Sequence, residues 1–395
     1  MAGELDVRDL ELNALLEVTQ AINSNLSEAD LFKIYRFTLL GDLKINRLAL
    51  FTVSEDQWHC KVNFGTDVDW STVQLPQEFI DLEDPRPVGT PGEFAYFDLV
   101  FPVLHKKKQL AVVFIGGLKN GEGHIDTTFL RALTNILIVA IENKRLARRQ
   151  LEQEAYRKEL EIAKKVQNFL FPKSLPKTPR LKIDAVYLPH HDVGGDYYDY
   201  LQVSEDKFML CVADVSGKGV PAALLMSNFQ ASLRTLVRKT DELDEIIAEL
   251  NHATYVSSNA ENFITFFVAF FDFKTRELSY ANCGHNPTYV LKGDEIMALE
   301  KGSTILGMFD PLPFINSDKI ILEEPFLLFG YTDGLTETFS ESGEQFGVDR
   351  LQELLSKHKN EDLSFLHHQI FRSLDEFRKG NEYGDDITVI SCHVS

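Results

Sequence analysis

The sequence predicts an α+β chain: an N-terminal α/β domain, a long helical linker, and a two-sheet antiparallel β-sandwich flanked by helices. Three observations carry this expectation. Beyond residue 180, apolar runs of strand length recur with helix-length segments in the long connections between them. Residues 141–171 hold an unbroken helical period, and the first 140 residues combine helices with two strongly apolar strands. At 395 residues the chain is long enough for two cores, and the boundaries are placed at 1–140, 141–174 and 175–395.

In the first segment, Leu12, Leu15, Leu16, Val18 and Ile22 recur at helical spacing. A second helix begins after Ser27, an N-cap with Asp30 three residues on. Leu48–Val53 and Ala111–Ile115 read as strands, and residues 126–145 as helix again. In the linker, Leu151, Ala155, Ile162, Val166 and Phe169 recur with gaps of 4, 7, 4 and 3, a seam suited to a parallel coiled coil. The stretch 144–182 holds 12 Lys/Arg against 4 Glu in a chain whose net charge is −20. Such a run is the solvated face of a helix, or a basic face that docks an acidic partner. Phe171-Pro172 ends the helix, and Pro176 and Pro179 mark the way into the next domain.

From Leu181 the period changes to two: Leu181, Ile183, Ala185 and Tyr187 alternate as a strand requires. The run 208–213 has no polar face and reads as a buried strand that stops at Asp214; Pro221 then sits in the first turn of a helix to about Lys239. Strands follow at 263–272, 277–282, 288–299 (a hairpin turning at Lys292-Gly293-Asp294), 325–331 and 386–394, with helices at 242–257, 347–358 and 362–379. Four segments set an aspartate beside glycine at a turn: Gly194-Gly195-Asp196, Asp214-Val215-Ser216-Gly217, Asp333-Gly334 and Gly384-Asp385-Asp386. Glycine permits the sharp turn and leaves the carboxylate at the rim. Four such rims brought together form a ring of hard oxygen ligands suited to Mg²⁺ or Mn²⁺.

The wording of these segments carries a resemblance. HDVGGDYYDY (191–200), VADVSGKGVPAALLM (212–226), NCGHNP (282–287), YTDGLTE (331–337) and GDDITV (384–389) resemble, in order, the bacterial metal-dependent serine/threonine phosphatases of the PPM class, nearest to the SpoIIE/RsbU type. The resemblance implies the sandwich with two divalent cations, Mn²⁺ or Mg²⁺, at one edge. Asp214 would bridge both ions, Asp196 bind the first, Asp333 and Asp385 the second, and the Val215 carbonyl add an oxygen. Asp386 falls where relatives often carry asparagine, and its role and that of Asp385 are open to exchange. The implied substrate is a phosphoserine protein, such as a separate STAS-type anti-sigma-factor antagonist. The helix–strands–helix order of residues 1–140 resembles a GAF-type sensor domain, which leaves open a small ligand, a protein partner or simple dimerisation; the linker seam points to a homodimer.

Other features are weighed beside this reading. Gly217-Lys218-Gly219 lacks the spacing of a Walker loop, yet Lys218 is a candidate for substrate phosphate. His190 and His191 are turn residues or a general acid at the rim, and His285 belongs to a strand-to-turn junction. The acidic balance argues against nucleic acid. No apolar stretch is long enough to span a bilayer, and no signal peptide is visible. Cys60, Cys211, Cys283 and Cys392 form no CxxC pair, as expected of a cytoplasmic protein with reduced thiols. Two other functions stand beside the phosphatase: hydrolysis of a small phosphate ester or nucleotide, and a partner-binding scaffold without catalysis.

Overall fold

The structure, a computed structural model, describes residues 2–395 except Lys44, Glu55, Asp56, Thr90, Lys107, residues 118–126 and His191. The chain divides into two compact units, Met1–Glu154 and Ala155–Ser395.

The first unit opens with α1 (Ala2–Asn23) and α2 (Glu28–Phe37). The Ser27 hydroxyl accepts the Asp30 N–H at 3.1 Å, so the expected cap forms. Strands β1 (Arg47–Ser54), β2 (Gln57–Phe64), β3 (Arg86–Pro87), β4 (Leu99–His105) and β5 (Lys108–Gly116) make an antiparallel sheet in the order β2-β1-β5-β4-β3. Alternation along β1 sends Leu48 and Leu50 to one face, where they pack with Val18, Leu31, Tyr35 and Leu133. It sends Ala49 and Phe51 to the other, with Trp70, Phe79, Phe94, Phe97 and Phe114. The rings of this second cluster touch edge-on or tilted, such as Trp70 on Phe94 at 5.3 Å. Each buried phenylalanine is worth roughly 1.5–3 kcal/mol, so the cluster fixes that face as solid core. The buried stripe of α1 differs from the expected one. Leu12 and Leu16 are 56% and 49% exposed, whereas the expected Val18 is buried, Leu15 and Ile22 pack against the core, and Ala14 and Ala21 join them.

Helix α3 (Thr127–Asn168) begins in this unit and ends in the second, running through position 141 without a break.

In the second unit the strands are β6 (Leu181–Leu188), β7 (Tyr197–Gln202) and β8 (Lys207–Val215). Helices α4 (Val220–Val237) and α5 (Leu243–Ser258) follow. After them come β9 (Ile264–Asp272), β10 (Glu277–Cys283), β11 (Thr288–Lys292), β12 (Glu295–Leu299), β13 (Gly302–Ser303), β14 (Asp318–Ile321) and β15 (Phe326–Tyr331). Then α6 (Asp333–Thr336), α7 (Val348–His358), α8 (Leu363–Arg378) and β16 (Ile387–Val394) close the chain. One sheet runs β13-β10-β9-β8-β7 with β14 on β10, and the other runs β12-β11-β15-β16-β6. All pairings are antiparallel except the short β10–β13 contact. Leu210, Val212, Phe267 and Phe271 of the first sheet meet Ile183, Leu328 and Ile390 of the second, as a sandwich requires. The outer faces are covered by α4 and α5 on one side and by α7 and α8 on the other.

Candidate metal centre

The carboxylates are delivered by strand ends. Asp214 is next to last in β8, and Asp196 directly precedes its antiparallel neighbour β7, so both lie at one edge of the first sheet. In the second sheet β15 ends just before Asp333, and its antiparallel neighbour β16 starts just after Asp385 and Asp386. Asp333 opens the one-turn α6 rather than a loop.

Asp196 is 1% exposed and ties the two sheets together. One of its oxygens accepts the hydroxyls of Thr332 at 2.7 Å and Thr388 at 2.6 Å, and Thr332 Oγ1 accepts the Thr388 N–H at 2.8 Å. Burial first, then the charge of Asp214, raises the Asp196 carboxyl well above the usual range. Asp214 is pushed up to about 7 by burial, then by Asp333 and Asp385. Asp333 is raised by burial, then by Glu337 and Asp385. Lys218 Nζ lies 3.0 Å from Asp385 and 2.8 Å from the Gly384 carbonyl.

Asp386 serves the backbone. Its two oxygens accept the N–H of His190 at 2.7 Å and of Gly195 at 2.9 Å. A Cβ on Gly194 would fall 1.9 Å from an Asp386 oxygen, and one on Gly334 would fall 2.0 Å from the Asp386 carbonyl. These two glycines are required by close approach alone. Ser216 Oγ accepts the Phe263 N–H at 2.8 Å and so braces the turn after Asp214. His285 is buried with Nδ1 2.8 Å from Thr265 Oγ1, a structural placement, and His191 lies outside the described residues.

Among the described residues no three acidic, histidine or cysteine side chains already close a cage around one ion. The donor chemistry nonetheless fits Mn²⁺ or Mg²⁺. Asp214, Asp333 and Asp385 crowd at a half-buried rim with one ammonium among them, and hard cations that keep several waters need few protein ligands. A groove of about 560 Å³ lined by Lys164, His190, Asp192 and Gly219 adjoins the two turns.

Thr332 and Thr388 bond to Asp196, and Gln167 bonds to Gly194; the sequence alone did not single out these three residues. The threonines lie inside motifs that it did, YTDG and DDIT, but a hydroxyl gains meaning only once β15 and β16 pair. Gln167 carried no signal beyond being polar beside an apolar seam.

The sandwich has the fold of a solved PP2C domain. The SiaA-PP2C domain of Pseudomonas aeruginosa superposes with a TM-score of 0.56 at 23% identity, covering 62% of this chain and 99% of that one. Residues 204–395 match the model of the family Stage II sporulation protein E (SpoIIE). The chain is 29% identical to phosphoserine phosphatase RsbU of Bacillus subtilis over 240 residues, covering 60% of this chain and 70% of RsbU. It is 28% identical to protein IcfG of Synechocystis sp. over 281 residues, 63% of this chain and 44% of IcfG. The chain thus spans less than half the length of IcfG. No described helix is long and apolar enough to cross a membrane.

Proposed function

We propose that the chain is a metal-dependent serine/threonine phosphoprotein phosphatase acting on a phosphoserine regulator, such as a STAS-type anti-sigma-factor antagonist. The observation that carries this is the convergence of Asp196, Asp214, Asp333 and Asp385 from four separate strand ends on one edge. Two divalent cations held there by these carboxylates and the Val215 carbonyl would supply Lewis acidity and an activated water. The protein's part is positional. Thr332 and Thr388 orient Asp196, Asp386 fixes the turn before it, and Lys218 stands at the rim where a phosphate would enter. Asp214, Asp333 and Asp385 lie at a half-buried rim, which favours a protein substrate over a nucleotide.

The first unit is read as a GAF-like sensor and dimerisation domain, supported by its sheet order and helical face. Its opposite face is filled by aromatic side chains buried within the unit itself. The α3 seam supports a homodimer: Leu151, Ile162, Val166 and Phe169 are 56–71% exposed.

The test compares a phosphoserine STAS-type protein with ATP and GTP as substrates of the full chain under Mn²⁺. Turnover of the phosphoprotein, lost in excess chelator and lost in a folded Asp214→Asn variant, is the expected result. Preference for nucleotides would favour the small-ester reading, and no turnover of either would favour a scaffold.

A further inference from the structure

Gln167, next to last in α3, is 5% exposed. Its amide makes both hydrogen bonds to one residue: Nε2 donates to the Gly194 carbonyl at 2.6 Å, and Oε1 accepts the Gly194 N–H at 3.3 Å. A buried amide stripped of its partners is costly, so the two bonds jointly favour one placement of the turn. Gly194 stands two residues before Asp196. From the other side the same turn is held by Asp386 through the His190 and Gly195 N–H groups. Gly194 and Gly195 are therefore gripped between a helix end and a carboxylate.

Just past the helix end the chain also meets α4. The Leu170 carbonyl accepts Gln230 Nε2 at 3.1 Å and Arg234 Nη2 at 2.9 Å, both from α4, the helix that follows the Asp214 turn. Phe171 stacks on Tyr187 at 4.9 Å and on Tyr198 at 5.0 Å, on the strands flanking the Asp196 turn.

We infer that Gln167 is a positioning residue: it sets Asp196 relative to Asp214 and thereby the affinity of the acidic edge for divalent cations. This rests on the phosphatase reading and adds to it a residue outside every motif. Groups that orient ligands from behind typically change metal affinity 10–100-fold when removed. A rotation of α3 by one residue, 100° about its axis, would swing the amide off Gly194 and release both bonds.

Gln167→Met keeps the length and apolar stem and removes both bonds. Mn²⁺ binding to the full chain would be measured by calorimetry, beside KM for the phosphoprotein at saturating Mn²⁺ and circular dichroism for the fold. The expected result is a Mn²⁺ dissociation constant raised about tenfold or more, with KM within about twofold of wild type. Unchanged Mn²⁺ affinity in the folded variant, even with a lowered melting temperature, overturns the inference, since a packing role predicts that pattern. Should Gln167→Met fail to fold, Gln167→Glu replaces it, keeping the acceptor for the Gly194 N–H and losing the donor. Weakened Mn²⁺ binding in that variant supports the inference, and unchanged binding overturns it. A wild-type chain that binds no Mn²⁺ would bring down the phosphatase reading and this inference together. A wild type that binds while the variants bind equally well brings down the inference alone.

Discussion

His285 shows how one buried side chain sets a pH limit. Burial holds its imidazole at about 4, against an ordinary value of 6.5, with a small opposing effect of the Tyr331 backbone. The unfolded chain therefore binds a proton that the folded chain refuses between these values. The stability from this group is complete above pH 6.5 and is lost as pH falls towards 4, in all about 3 kcal/mol. Asp196 and Asp214, raised by burial, act in the opposite sense and favour the fold as pH falls. Comparing wild type with His285→Gln cancels their contribution. The urea midpoint of wild type should fall between pH 7.5 and 4.5 by more than that of the variant, and equal falls would refute the assignment. At this scale the four aspartates were legible because each stands at one end of a strand-like run with glycine nearby. The Asp199–Arg234 pair behind Tyr197, at 2.7 Å, was not, because its partners are 35 residues apart and meet only when α4 packs on β7.

Helix α3 presents two faces near its end. Leu160, Ala163 and Gln167 are buried or half-buried, whereas Ile162, Val166 and Phe169 are exposed. The seam was legible because apolar residues at spacings of three, four and seven are rare by chance on a solvated helix. The buried face was not, since alanine, glutamine and a single leucine make no apolar stripe. Glutamate at both Ile162 and Val166 would place like charges along the seam and should convert the proposed dimer to monomer. Light scattering reads the mass and the phosphoprotein assay reads the response; a variant that stays dimeric would show that the seam is not the contact. The strands of the second unit were legible for another reason: those in mid-sheet are covered on both faces, so they read as continuous apolar runs. The edge strands β7, β13 and β14 escaped notice because edge strands need no such run.

On the scale of the molecule, each unit has its own apolar clusters: two in Met1–Glu154 and three in Ala155–Ser395. Residues 155–395 retain the end of α3 with Gln167, both sheets and the whole acidic edge. Expressed alone, this segment should fold and turn over phosphoprotein at saturating Mn²⁺ at a rate of the same order as the full chain. A fragment that aggregates, or folds without activity, would show that the first unit is needed for the site itself. The helical period on both sides of position 141 was readable, since helix was expected over 126–145 and 141–171. The division between Glu154 and Ala155 was not, because it falls inside the segment read as a linker, where the helical period does not change.

The aromatic cluster of the first unit also makes the molecule its own optical probe. Both tryptophans of the chain, Trp58 and Trp70, belong to that unit, and Trp70 is sealed among phenylalanines with its indole N–H on the Thr66 hydroxyl at 2.7 Å. Light absorbed at the red edge of the ultraviolet band is re-emitted from one half of the protein only, while the half with the acidic edge stays dark. A partner or ligand that disturbs the first unit can therefore be watched without any label, and separately from events at the phosphatase domain.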